Sequence, residues 1–422
     1  MKRTEAALTH NGSAPRSARG SGVLGKRGAF LSAAFVLALV LWSSGAPSTL
    51  YPSYAVKWDL APVVITSIFA TYPLALIVAL PLFGNLSDLY GRRLVMIGGV
   101  LLIALSTLLF AFAPHVGFLF AGRALQGIGS GLAMGAATVS LIENNPRSNP
   151  RFASTMATVA TATGLTLALF VSGLLSQFAP LPLVLSYIVL FVLALATMTT
   201  LLMTPSDRPP TRHRWRPQAP HVPRGIRLSF MIATLSVVLA YSMGAIFLSL
   251  GAHMISAFAQ TDNKAITGAL LATSAASIGL TALLLGRVPA RAQIWAGTAL
   301  TVLSLAIMVA ASIYGSVWLF LSWCLVGGIA YSLTFTGGLG LINSVAPKQH
   351  RGATLSFLYL IAYFFQAGTA IGVGALASSG TLSNAVTAAA ATLTCLCLLA
   401  VILLKLPARS GPQGVDPLSG SG

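Results

Sequence analysis

The chain has 422 residues, 56% of them hydrophobic and only 8% charged, with 25 Lys and Arg against 7 Asp and Glu and a formal net charge of +18. Mean hydropathy is +0.84, and apolar runs long enough to cross a bilayer recur from Phe30 almost to the C-terminus, which excludes a soluble globular protein and implies one embedded in the lipid bilayer. The basic residues come in short bursts between apolar runs with no aromatic-interleaved basic domain, which argues against nucleic acid as a partner.

Residues 1–28, MKRTEAALTHNGSAPRSARGSGVLGKRG, are basic and rich in Gly, Ser and Ala, and read as a disordered cytoplasmic tail. The apolar run that follows reaches about Ala55 without a small-residue cleavage site. It is longer than the roughly 7 to 15 residues of a signal-peptide core, so it reads as a retained helix. Only helices and closed barrels satisfy their backbone inside lipid, and these runs are continuous rather than alternating. Twelve spans fit: 29–56, 62–86, 94–113, 116–143, 152–178, 181–204, 227–257, 265–286, 293–313, 316–344, 353–378 and 382–405. The proline-rich, basic segment at 205–226 forbids a continuing helix and reads as a cytoplasmic linker, and 406–422 reads as a cytoplasmic tail.

The predicted fold is therefore an all-α integral membrane protein of two pseudo-symmetric six-helix bundles, 29–204 and 227–405. Short similarities between the halves support a duplicated unit: LWSSGAPSTLYPSYA in span 1 against AYSMGAIFLSLGAHM in span 7, and ALQGIG in span 4 against CLVGGI in span 10. Of the 25 Lys and Arg, all but Lys57, Lys264 and Arg123 fall on the side of the N-terminus. Basic residues mark the cytoplasmic side, so both termini are expected there, in a multi-pass protein of the plasma (cytoplasmic) membrane.

Between spans 2 and 3 lies a charged knot, Gly84-Asn85-Leu86-Ser87-Asp88-Leu89-Tyr90-Gly91-Arg92-Arg93. Gly84 and Gly91 permit close helix approach and a tight turn, Arg92 and Arg93 anchor the loop on the cytoplasmic side, and Asp88 suits a guanidinium or a helix N-terminus. Glu143, at the cytoplasmic end of span 4, is a candidate second partner for Arg92. The plainer reading of Asp88 and its arginines is helix capping and topology. A second pattern, GRALQGIGSG, places Arg123, Gln126, Gly127 and Gly131 in span 4.

The knot resembles the loop motif GxLSDxxGRR of the major facilitator superfamily, and GRALQGIGSG resembles that family's span 4 signature. With twelve spans and a basic central linker, the resemblance runs from about residue 29 to 405. It implies a transporter that rocks two halves about a central site, lined by spans 1, 4, 7 and 10. It also implies a conformational latch of Gly84, Asp88, Gly91, Arg92, Arg93 and Glu143, in which Asp88 meets the start of span 11 around Gly352 and Ala353 and favours the outward-facing state. The matching loop of the second half, LLLGRVPARAQ, has no acid, so the latch is expected in one half only.

Arg123 should lie roughly 10 Å deep at 1.5 Å per residue, with Gln126 one turn along the same face. Such an arginine binds substrate, tunes a coupling site, or snorkels to the interface. None of the seven Asp and Glu is mid-helix, which argues against a cationic solute on a buried carboxylate. Span 5, TATGLTLALFVSGLLS, lacks the Gly-Pro pair of the antiporter signature, so proton coupling has no usual residue to support it. On the faces that the resemblance assigns to the cavity, the candidate substrate or coupling residues are Trp42, Tyr51, Tyr54, Tyr241, Tyr331 and Phe335 with Arg123 and Gln126. Aromatics with hydroxyls suit a neutral or amphipathic solute.

Cys324, Cys395 and Cys397 lie in apolar runs without metal-ligand spacing, and no nucleophile with a base, and no Gly-rich nucleotide loop, is present. No cofactor, metal or enzymatic activity is expected, and a monomer is. The expected function is alternating-access transport of a small organic solute, with efflux of hydrophobic or drug-like compounds, coupled to protons or not, set ahead of uptake of a neutral or anionic metabolite such as a sugar or organic acid. A membrane sensor that binds without transport is the alternative of another class.

Overall fold

A computed structural model describes residues 24–83, 86–147, 150–206, 222–258, 261–347 and 350–406. The tail expected at 1–28, the linker expected at 205–226 and the tail expected at 406–422 fall largely outside these residues, and Gly84 lies outside them.

The first span is broken. It runs as α1 (Lys26–Gly45), a 3-10 turn at Ala46–Thr49, and α2 (Tyr51–Trp58). Pro47 and Pro52 are the cause, since each lacks the N–H that would continue the α-helical ladder. Asp59 then ends α2 in the left-handed conformation, φ 46, which aspartate adopts more readily than most residues. The rest of the first half is α3 (Pro62–Phe83), a short α4 (Leu86–Tyr90), α5 (Arg92–Ala111), α6 (Val116–Glu143), α7 (Pro150–Phe178) and α8 (Leu185–Met203). The second half is α9 (Arg227–Phe258), α10 (Lys264–Leu285), α11 (Ala290–Tyr314), α12 (Val317–Val345), α13 (Arg351–Ser379) and α14 (Leu382–Lys405).

Twelve of these helices, counting α1 with its 3-10 turn, are long and apolar enough to span a bilayer, in agreement with the sequence expectation. Two expected boundaries move for local reasons. The helix expected from 181 begins at Leu185, because Leu181 sits at φ 57 next to Pro182, and the residue before a proline is driven out of the α region. The span expected as one helix to residue 56 is the broken one.

The spans alternate in direction, so the ends of α3, α6, α8, α10, α12 and α14 share one face of the bundle with the charged knot; this is called the knot end. At the opposite, far end, four helix starts carry side-chain caps. His115 accepts from Gly117 N–H, Asn263 from Ala265 and Ile266, Ser316 from Leu319, and Thr381 from Asn384. Each satisfies backbone donors that a helix leaves open at its first turn.

Close packing inside the first half depends on the face of α6 that carries the span 4 signature. A Cβ on Gly127 would lie 2.5 Å from Tyr72 O on α3, and one on Gly131 would lie 2.8 Å from Ala79 Cβ. Lipid offers apolar contact as good as any leucine, so helices associate here through close backbone approach at small residues. Gly127→Val should therefore force α6 off α3 and lower stability by about 1–3 kcal/mol or more. Gly135, one to two turns further on, has nothing within 4 Å of a built Cβ, and Gly135→Val should leave the unfolding midpoint of the purified protein nearly unchanged. Equal midpoints for the two variants would contradict this packing.

Candidate functional site

The two halves meet mainly along α3 against α13 and α7 against α10. At the far end these pairs are closed. Val63 N–H donates to Ser378 Oγ at 2.9 Å, and Lys264 N–H donates to Gln177 Oε1 at 2.9 Å. The halves are closely packed there as well: a Cβ on Gly173 would lie 2.7 Å from Gly268 Cα, and one on Gly374 would overlap the Thr66 side chain at Oγ1. Between the halves lies a cavity of about 240 Å³ that runs from Phe247 and Trp323 in the far half of the spans to Met134, Thr158, Ala282 and Thr336 toward the knot end.

Its second-half wall is aromatic. Tyr241 of α9 stacks on Phe335 of α12 at 5.8 Å between ring centroids and lies 5.0 Å from Tyr363 of α13, and Tyr331 sits 6.0 Å from Phe335. Tyr359 backs this group, 6.5 Å from Tyr241. No Asp, Glu, Lys, Arg or His lines the cavity among the described residues.

The first-half wall hides a charge one layer behind it. Arg123 is fully buried at 0% exposure, which rules out snorkelling. Its Nε donates to Tyr51 Oη at 3.0 Å, and Nη1 donates to Ser44 O and to Gln126 Oε1, both at 3.1 Å; Nη2 also reaches Tyr51 Oη. The guanidinium lies 5.6 Å from the Tyr51 ring and 5.9 Å from each of the Phe69 and Tyr72 rings, within reach of cation–π attraction. The break in the first span is what makes this possible, because it turns the Ser44 carbonyl and the Tyr51 phenol toward α6. Ser44 and Tyr72 line the cavity while Arg123 does not. Gln126 Nε2, also fully buried, has no partner among the described residues.

The knot is organised around Arg92. Its Nη1 donates to Ser87 Oγ at 2.9 Å and pairs with Asp88 Oδ1, and its Nη2 reaches Glu143 Oε1 at 3.4 Å. Arg93 Nη2 donates to Leu202 O at the end of α8, at 2.6 Å. Gly91, at φ 90 and ψ 152, caps α5 in a conformation that side chains rarely adopt. Asp88 is thus engaged inside its own half. Among the described residues it makes no bond to the start of α13, where Gly352 is exposed with nothing within 4 Å of a built Cβ.

Of the residues expected on the cavity wall, Tyr241, Tyr331 and Phe335 are there. Tyr51, Tyr54, Arg123 and Gln126 are buried and do not line it, Tyr51 and Tyr54 in a core cluster that also takes in Ala245, Ala367 and Ala370 of the second half, and Trp42 packs partly buried against the first half's core. Tyr363, Tyr72, Trp323, Phe247 and Gln366 line the cavity without having been singled out in the sequence. The available signal was the run YLIAYFFQ in span 11, where Tyr359, Tyr363 and Gln366 recur at helical spacing.

Two helical halves spanning a membrane, sealed against each other at one end around a central cavity, define a membrane transporter. Residues 33–260 match the Major Facilitator Superfamily, and the chain belongs to that family, whose members are transporters rather than enzymes. A putative multidrug resistance protein MdtD of Serratia proteamaculans is 26% identical over 57% of this chain and 52% of its own length. A probable vesicular acetylcholine transporter-B of Danio rerio is 44% identical over 16% of this chain and 13% of its own. The chain thus spans about half the length, or less, of these curated relatives. Among solved structures, nucleoside transporter NupG superposes with a TM-score of 0.73 at 14% identity, over 89% of this chain and 99% of that one. A bacterial homologue of the human lysosomal transporter Spinster, inward-facing and unoccupied, gives 0.66 at 14% identity, over 90% and 94%. At such identity the likeness is one of fold.

The two charged clusters should respond differently to mutation. Tyr51→Phe removes the only side-chain hydroxyl that Arg123 bonds among the described residues, and should lower stability by about 1–3 kcal/mol. Asp88 and Glu143 are 59% and 53% exposed, so Asp88→Asn should lower it by less than about 1 kcal/mol. Thermal unfolding in detergent checks both, and a larger loss in Asp88→Asn than in Tyr51→Phe would reverse the ranking.

Proposed function

We propose that this transporter exports hydrophobic or drug-like, largely uncharged organic solutes across the plasma membrane, with the knot end and both termini cytoplasmic. The observation that carries this reading is the cavity wall, aromatic and hydroxyl-bearing with no charged side chain among the described residues. Such a wall stabilises apolar and aromatic surface and offers nothing to offset the desolvation of an ion. The name of the Serratia relative, a putative multidrug resistance protein, agrees with it. The placement of Lys and Arg favours the orientation. In that orientation the conformation is inward-facing, and a latch from Asp88 to the start of α13 would be open in it.

A second reading, uptake of an anionic metabolite such as an organic acid, draws on Arg123, whose charge no carboxylate among the described residues offsets. Proton coupling would need a carrier other than an embedded acid. Asp88 and Glu143 sit at the knot end and Asp59 and Asp262 at the far end, outside the middle of every span.

Transport measured in both directions decides between these. Cells expressing the chain should retain several-fold less of a neutral aromatic dye than cells expressing Tyr241→Leu, and a protonophore should abolish the difference if protons drive export. Net accumulation of benzoate, with no effect on the dye, would favour the second reading. Specific binding with no flux in either direction would make the protein a sensor.

A further inference from the structure

Gly244 of α9 and Tyr331 of α12 both line the cavity, and both are partly exposed. They also touch each other. A Cβ on Gly244 would lie 3.0 Å from Tyr331 Cε2 and 3.8 Å from its Cδ2, so the edge of the phenol ring rests on the bare backbone of α9. Carbon atoms pack best about 3.5–4.0 Å apart, and a methyl group at residue 244 would lift the ring. The neighbours decide where it goes. Phe335, one turn nearer the knot end, lies 6.0 Å from Tyr331 between ring centroids and is itself stacked on Tyr241 at 5.8 Å. That side is filled, and the space left to a ring lifted off α9 is the cavity.

The repeated sequence of the first half places a glycine at the same position. In the similarity between LWSSGAPSTLYPSYA and AYSMGAIFLSLGAHM, Gly45 matches Gly244. A Cβ on Gly45 would lie 2.6 Å from Leu165 Cδ1 on α7, and Leu165 also lines the cavity. Each half therefore seats one lining side chain on a glycine of its first span, an aliphatic one in the first half and an aromatic one in the second. Gly244 and Tyr331 belong to one half, so their contact persists as the halves rock.

We propose that Gly244 is a specificity-determining residue: by seating Tyr331 against α9 it sets the breadth of the cavity, and it admits broad fused-ring solutes that a larger residue there would exclude. The selection acts on the width of the solute and leaves narrower aromatic solutes unaffected. This deepens the reading of the cavity as the solute site and rests on it.

The test titrates purified protein with 1-naphthol and 1-hydroxypyrene, which share one hydroxyl and differ in the breadth of the ring system, following ligand-induced thermal stabilisation. Wild type should bind both. Gly244→Ala should lower affinity for 1-hydroxypyrene roughly tenfold or more, the scale of one added carbon in an apolar site, and change 1-naphthol by less than about twofold. Tyr331→Ala removes the ring that the methyl would lift, so adding Gly244→Ala in that background should leave the ratio of the two affinities unchanged. If Gly244→Ala does not fold, Tyr331→Ala alone carries the test and should shift that ratio several-fold toward 1-hydroxypyrene. An equal loss of both probes, no loss of either, or a size effect that survives without Tyr331 overturns the role of Gly244 and leaves the cavity as the solute site. Wild type that takes 1-naphthol and rejects 1-hydroxypyrene overturns it too, because the seated ring would then leave no breadth to lose. Failure of wild type to bind either probe overturns the cavity reading itself, and the role of Gly244 with it.

Discussion

The packing of the first span, α3 and α6 is arranged around one guanidinium that meets no acid among the described residues. A charged side chain at a helix centre costs about 2.5–3.5 kcal/mol on insertion scales, and the protein must offset that with dipoles and rings. Arg123 obtains a phenol, a backbone carbonyl and an amide oxygen, with three aromatic faces around them. Those groups come from the two pieces of the broken first span, from α3 and from α6 itself. The proline break and the glycine contact between α6 and α3 thus serve one end, bringing donors and acceptors together where lipid supplies none. The same network ties the first span, α3 and α6 together.

The second half is built to another rule. Among the described residues it holds no comparable buried charge; its share of the cavity is a group of tyrosines and a phenylalanine in mutual ring contact, with a tryptophan deeper in. A solute between the halves meets a soft aromatic wall on one side and, on the other, Ser44 and Tyr72 with a fixed positive charge behind them. The two walls differ in polarity, with a buried guanidinium behind the first and aromatic faces on the second.

Much of this was legible in the sequence. Twelve spans followed from hydropathy, and the pairing of Arg92 with both Asp88 and Glu143 followed from residues at one interface. The contact of Arg123 with Gln126 followed from i,i+3 spacing. What escaped has a common physical cause. In water, an apolar stripe tells which face of a helix is inward; in lipid both faces are apolar, and the period carries little information. Trp42 and Tyr54 were accordingly read as cavity residues although neither lines the cavity, and Tyr363 on α13 was passed over. The contact of Tyr51 with Arg123 depends on the unwound turn at Ala46–Thr49, which the prolines announce without saying where it points the chain. Unsatisfied atoms such as Trp323 Nε1 become visible only once neighbours are in place.

The central claim is that two rigid halves separate at one end while closing at the other around the aromatic cavity. Distances between spin labels test it most directly, in a background where the exposed Cys395 is replaced. One pair, at Tyr90 and Leu284, crosses the halves at the knot end; a second, at Phe178 and Trp318, crosses them at the far end; a third, at Tyr90 and Ile142, lies within the first half, and all five positions are exposed. On adding a transported solute, the knot-end distance should shorten and the far-end distance lengthen, with the third unchanged. A change within the first half as large as that between the halves would contradict the account, because Arg123 and its partners would then not hold that half together.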